Sequence, residues 1–307
     1  CVTGPFAIDM YLPALPAIEE ALDVSVSAAQ ITLVAYFLAY GVSQLVYGPL
    51  SDQIGRKKTL AIGMSIFCVG AVICAVAPNI ETLVLGRLVQ GIGGATVMVI
   101  PRAIVRDMYT GAQATRLMSS IMLVISVSPM LAPLAGSAVV AFGSWREIFL
   151  ALAILAAATL TMAQIALPET LTTDKRRKVN LGELSRSCGI LFRDPVFVGL
   201  TFIAGFGMAS FFLFISSASF VYTGQFGLTP TEFSLAFAFN AVGFFIATQA
   251  AGRLAEMWGL ATLIGRGVTG FAVCSAVLTG VVLAGFGTLP VLLIGLFLAY
   301  SFLGVVV

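Results

Sequence analysis

The sequence predicts an all-α protein that crosses a membrane many times. Three observations carry this: composition, the length and spacing of its apolar runs, and the side on which its basic residues fall. Of 307 residues, 59% are hydrophobic and only 10% charged, against roughly 25% charged in soluble domains. Such a chain cannot cover itself with polar surface, so lipid must be its main solvent. The net charge of +2 is too small to draw nucleic acid by bulk attraction, and nucleic acid is not an expected partner. The absence of histidine removes that residue as metal ligand, general base or proton relay. The five cysteines are scattered and make no CxxC pair, so they read as small buried hydrophobes rather than a metal site.

A helix needs about 20 apolar residues to cross a hydrocarbon core of ~30 Å, and in lipid its backbone groups must bond within the segment. Runs of that kind fall at about 1–17, 30–49, 59–77, 80–101, 115–141, 145–167, 196–221, 232–251, 262–286 and 289–307. The first begins already apolar at Cys1 and the last is still apolar at Val307, so the chain reads as a fragment with its first span truncated.

Basic residues orient the bundle. Arg56, Lys57 and Lys58 lie between spans two and three, and Arg102, Arg106 and Arg116 flank the loop between four and five. Lys175, Arg176, Arg177, Lys178, Arg186 and Arg193 lie between six and seven, and Arg253 and Arg266 between eight and nine. Only Arg87, inside span four, and Arg146 stand apart. The basic side is therefore cytoplasmic, and span one leaves the cytoplasm. The polar stretch 169–195 divides a six-helix bundle, 1–168, from the first four helices of a second, 196–307; it reads as a solvated cytoplasmic linker.

An internal repeat supports the division. Gly48, Leu50, Asp52 and Gly55 recur at the same offsets as Gly252, Leu254, Glu256 and Gly259. Both stretches follow the second span of their half on the cytoplasmic side. A duplicated six-span unit explains this, and then two further spans are expected after Val307.

Two charges fall inside predicted spans. A charge near the bilayer centre costs about 2.5–3.5 kcal/mol on insertion scales, so it normally faces a cavity or a partner. Asp9 lies about eight residues, or ~12 Å of helical rise, before the outer end of span one. Loss of water disfavours the charged carboxylate, and a carboxyl able to load and release a proton near neutral pH is what a proton-coupled carrier needs. Arg87 stays charged at any working pH and could hold an acid ionised or drive its proton off; a fixed ion pair clamping two helices is the other reading. Gln90, three residues on, shares its face. Gly91, Gly93, Gly94 and Ala95 let another helix approach closely.

The loop from Gly48 to Lys58 combines a helix-ending Gly-Pro, an acid and three bases. Asp52 there is placed to pair with a basic group or a helix terminus, with Arg56 and Lys57, as a reversible cytoplasmic latch. In span five, Ser128, Pro129, Ala132, Pro133, Gly136 and Ser137 describe a bent helix with a close-packing face. Aromatic residues, Tyr11, Tyr36 and Tyr40 among them, could line a cavity, though most such rings face lipid or pack helices. Asn240 is the polar residue of interest in span eight.

These segments together resemble the major facilitator superfamily. Gly48 to Lys58 is similar to that family's signature between helices two and three. Leu83 to Ala95 resembles its helix-four signature, whose arginine is linked to proton transfer. Ser128 to Ser137 resembles its antiporter signature, with Ser128, Ala132 and Ser137 where that pattern has glycine. Ile8 to Pro16, Ser144 to Phe149 and Pro168 to Leu171 resemble the bicyclomycin/chloramphenicol-resistance subfamily of drug:proton antiporters. The resemblance implies a bundle of two six-helix halves, of which about ten helices are present here, the first truncated and the last two absent. It also implies proton-coupled efflux of small amphipathic compounds by alternating access, in the bacterial cytoplasmic (inner) membrane. The expected partners are a small-molecule substrate, protons and the lipid bilayer, in a monomer with the proton gradient as energy source and no cofactor or metal. A proton-coupled importer or exporter of a polar metabolite is the alternative. An enzyme is not expected.

Overall fold

The computed structural model describes residues 3–172, 176, 182, 186 and 189–306; Cys1, Cys188 and the linker bases Lys175, Arg177 and Lys178 lie outside them. The described chain is helical, in two compact units: Cys1–Ser128 with Ala132–Leu181, and Pro129–Leu131 with Gly182–Val307. The first contains α1 (Thr3–Asp9), α2 (Leu15–Leu22), α3 (Val26–Ile54), α4 (Arg56–Ala75), α5 (Ile80–Gly94), α6 (Thr96–Met108), most of α7 (Gly111–Phe142) and α8 (Trp145–Ala166). The second contains α9 (Pro195–Phe220), α10 (Pro230–Trp258), α11 (Leu260–Val281) and α12 (Leu289–Val306).

Eight helical stretches of the described residues are long and apolar enough to cross a membrane, α5 and α6 counting as one, and α7 makes a ninth if its two arms are one span. Those arms, Gln113–Pro129 and Leu131–Phe142, meet at 42°. Pro133 has no N–H for the Pro129 carbonyl and crowds it, which opens the helix at this point. Outward faces carry large apolar side chains, such as Leu45, 74% exposed, and Ile165, 82% exposed, as lipid solvation requires.

Two expectations change. Span one is not one helix: α1 stops at Asp9, a 3-10 turn occupies Leu12–Ala14, and α2 continues to Leu22. Pro13 cannot bond the Asp9 carbonyl four residues back and clashes with it, so the helix breaks there. Nor does Gly48-Pro49 end span two. Helix α3 runs through Pro49 and stops at Gly55, whose φ of 103° is open to glycine and strained for other residues.

The repeat is visible in the backbone. Gly259, at φ 78°, joins α10 to α11 as Gly55 joins α3 to α4. In each unit the helix before and the helix after this joint both pack against the next transmembrane helix: α3 and α4 against α5, α10 and α11 against α12. Glycines set the separation. A Cβ on Gly93 would overlap the backbone of α4 at Gly63 and Phe67, and one on Gly70 would meet the backbone of Gln90.

Candidate functional site

The largest fully buried side chain of the first unit is Arg87, with no exposed surface. Asn79 caps the start of α5 by accepting the Thr82 N–H at 3.0 Å, and two turns on, the helix delivers Arg87 into the core. One guanidinium nitrogen, Nη1, donates to the Ala7 carbonyl at 3.0 Å and to Gln90 Oε1 at 2.6 Å. Ala7 lies in the last turn of α1, where carbonyls lack intrahelical partners, so the cation caps that half-helix and opposes the negative end of its dipole. The guanidinium lies 4.3 Å from the Tyr36 ring centre and 4.7 Å from that of Tyr11. Such contacts contribute up to about 2 kcal/mol each when dry.

Glycines admit Tyr36: a Cβ on Gly91 would meet its carbonyl, and one on Gly94 its hydroxyl. Tyr40 stacks on Tyr36 at 5.7 Å. The Tyr11 hydroxyl lies 2.8 Å from Thr32 Oγ1; Thr32 gives its own proton to the Ala29 carbonyl, so Tyr11 is the donor between them.

Four buried donors find no acceptor: Arg87 Nε and Nη2, Gln90 Nε2 and the Tyr36 hydroxyl. Asp9, 3% exposed, ends α1 two residues after the carbonyl that Arg87 caps. Among the described residues Asp9 forms no ion pair within 4.0 Å. The fixed ion pair that the sequence allowed for Arg87 is likewise not made among the described residues; Arg87 is held by neutral acceptors and rings, with the three N–H groups of Nε and Nη2 to spare.

A second polar group sits at the α3–α4 joint. Arg56, 8% exposed, pairs through Nη1 with Asp52 at 2.6 Å and through Nε with Asp107 of α6 at 2.8 Å, and donates to the Ser51 hydroxyl. Its backbone N–H bonds Glu169 Oε1 at 2.9 Å. A Cβ on Gly55 would collide with that carboxylate, so the glycine permits both the backbone turn and the approach of Glu169. Lys57 donates to the Gln164 carbonyl at 2.7 Å. A cavity of about 380 Å³ opens beside this network, lined by Asp52, Arg56, Arg102, Arg106 and Asp107 among others.

Residues 2–307 match the family model described as Major Facilitator Superfamily. The chain belongs to this superfamily. It is a membrane transporter by descent and not an enzyme. It is 33% identical over 307 residues to the uncharacterized MFS-type transporter YdgK of Bacillus subtilis (strain 168), covering 99% of this chain and 76% of that one. To the bicyclomycin resistance protein homolog of Haemophilus influenzae (strain ATCC 51907 / DSM 11121 / KW20 / Rd) it is 29% identical, over 85% of this chain but 65% of the relative's length. The fold is that of the solved D-xylose-proton symporter, with TM-score 0.75 at 17% identity over 99% of this chain and 78% of that one.

Within this superfamily member the first unit brings Tyr11, Tyr36, Arg87 and Gln90 together at the α1 break, with Asp9 buried two residues past the Ala7 carbonyl that Arg87 bonds. Tyr40 extends the ring stack, while Gly48 to Lys57 lie at the far end of α3, twelve residues or ~18 Å along the helix from Tyr36 to Gly48. Helix α7 joins the first group at Gly136, where a Cβ would overlap the Met10 carbonyl, the residue after Asp9. Ser128 of α7 is buried and bonds the Val124 carbonyl at 2.9 Å. Asn240 belongs to the second unit, where it donates to the Tyr222 hydroxyl at 3.2 Å.

Reading the sequence did not single out Asp107, Tyr222, or Glu169 as a helix cap. Asp107 was discoverable as an acid beside the basic Arg102 and Arg106, and Glu169 as the acid of the Pro168 to Leu171 run. Nothing local marks Tyr222.

Proposed function

We propose that the protein exports small amphipathic drugs or toxic compounds in exchange for protons by alternating access, with Asp9 as the proton carrier and Arg87 as the group that tunes it. One observation carries the reading: a carboxyl almost closed to solvent, at a helix break, with no fixed cation upon it and unused N–H donors on the guanidinium that caps the same helix. A group locked in an ion pair cannot trade its proton. Asp9 is free to be neutral while it holds the proton and to draw on Arg87 when it gives the proton up. The resistance-protein name of the Haemophilus relative supports efflux rather than uptake. Inward movement of one proton supplies about 2.3 kcal/mol per 100 mV of membrane potential, enough for roughly fifty-fold accumulation of an uncharged compound against its gradient.

The test uses full-length protein in proteoliposomes with a pH-sensitive dye inside. Drug added on one side is expected to release protons, and Asp9→Asn to abolish that release while the protein stays folded. Normal drug-coupled proton movement by Asp9→Asn would remove Asp9 from the mechanism. Substrate accumulation driven in the same direction as the proton would reverse the assignment to import.

A further inference from the structure

The cavity beside the α3–α4 joint carries more positive charge than the joint uses. Three arginines line it, Arg56, Arg102 and Arg106, and two acids, Asp52 and Asp107. Both acids are turned on Arg56, at 2.6 and 2.8 Å. Arg102 and Arg106 are left with no acid within 4.0 Å among the described residues. They stand four residues apart on α6 and so share one face, with about 5–6 Å between their Cβ atoms, a spacing at which like charges repel. Arg102 is half-buried, and its Nε is closed to solvent without a hydrogen-bond partner, a state that native proteins rarely leave uncorrected. Arg106 is exposed.

The α6 pair thus lacks what Arg56 has, an anion. The cavity, about 380 Å³, is far larger than a single water requires. Guanidinium groups bind oxyanions through paired N–H groups. A carboxylate has two oxygens and fills one such fork, whereas a phosphate group has oxygens and charge for two. The place also suits it: this is the basic, cytoplasmic end of the helices, where basic pockets between membrane helices take phosphate head groups.

We infer that Arg102 and Arg106 form a site for a phosphate group, carried by a phospholipid of the inner leaflet or by a soluble phosphate. The bound group accepts from both guanidinium groups and relieves their repulsion, while Asp52 and Asp107 stay on Arg56. By filling the cavity it ties α6 to the cytoplasmic end of α3, whose Gln44, Gly48 and Ser51 line the same space. The site lies apart from Asp9 and Arg87, and it holds whichever way the carrier runs.

Full-length protein in neutral detergent, at fixed ionic strength, is melted with increasing inorganic phosphate, with dihexanoylphosphatidylglycerol, or with dihexanoylglycerol, which has the same chains and no phosphate. A ligand that binds only the folded state raises the melting temperature with its concentration. A rise is expected with the phospholipid and not with dihexanoylglycerol. If inorganic phosphate gives it too, the phosphate group alone suffices; if not, the source is lipid. Arg102→Gln and Arg106→Gln are each expected to shift the response to at least about tenfold higher concentration. Arg116→Gln, at an exposed arginine of α7 outside the cavity, is expected to leave it unchanged. Arg106 is exposed, so its variant tests the site even if Arg102→Gln does not fold. No rise with either phosphate compound overturns the site, as does a rise that dihexanoylglycerol matches. A rise that survives both cavity variants, or that Arg116→Gln weakens equally, shows bulk attraction and overturns it as well.

Discussion

The Arg56 network allows a prediction in which burial and distance disagree. Asp52 is the nearer partner, at 2.6 Å, but its side chain is 51% exposed; Asp107, at 2.8 Å, is 20% exposed. At such separations Coulomb energy changes little with 0.2 Å and greatly with the effective dielectric. Exposed pairs contribute about 0.2–1 kcal/mol, whereas leaving a buried charge unpaired costs about 3–5 kcal/mol. Asp107→Asn is therefore expected to destabilise the protein by about 1–2 kcal/mol and Asp52→Asn by less than about 0.5 kcal/mol. Arg56→Met leaves Asp107 without its cation and takes one donor from the Ser51 hydroxyl, which keeps its own bond to the Gly48 carbonyl, and should cost about 2–3 kcal/mol. In a unit of this size 1 kcal/mol moves the melting temperature by about 2–4 °C. Melting of the purified variants in detergent, followed by intrinsic fluorescence, reads the order directly. An Asp52→Asn loss equal to or greater than that of Asp107→Asn would refute the claim that burial decides. So would an Arg56→Met variant melting within about 1 °C of wild type.

Alanine at the repeated glycines should separate strain from collision. Gly55→Ala meets both a positive φ and the Glu169 carboxylate and should be the most destabilising; Gly259→Ala meets only its positive φ; Gly48→Ala has open space around it and should melt like wild type. Any other order in a melting series would count against the backbone argument. Asn79→Ala removes the cap of the helix that carries Arg87 and should cost about 1 kcal/mol, while Asn79→Asp, with the same acceptor at a helix N-terminus, should cost little. Equal losses from the two would show that the cap is not what Asn79 supplies. Asp9→Asn, the test of proton exchange, belongs to the same set.

Much was legible before any coordinates. The apolar runs, the alternation of basic loops and the repeat of Gly48–Gly55 at Gly252–Gly259 are local or periodic signals, and lipid leaves a chain this apolar few other ways to satisfy its backbone. Asp9 and Arg87 declared themselves because a charge in an apolar run is costly and calls for a cavity or a partner. Three-dimensional packing alone decided what these groups touch. Arg87 bonds the carbonyl of Ala7, eighty positions away, and not the carboxylate that charge alone would choose, because the break before Pro13 leaves that carbonyl unpaired and the glycine edge of α5 lets Tyr36 approach the cation. Gly136 meets Met10, and Asn240 meets Tyr222, for the same reason: close helix contact is a matter of surface shape between distant segments, which no one segment records.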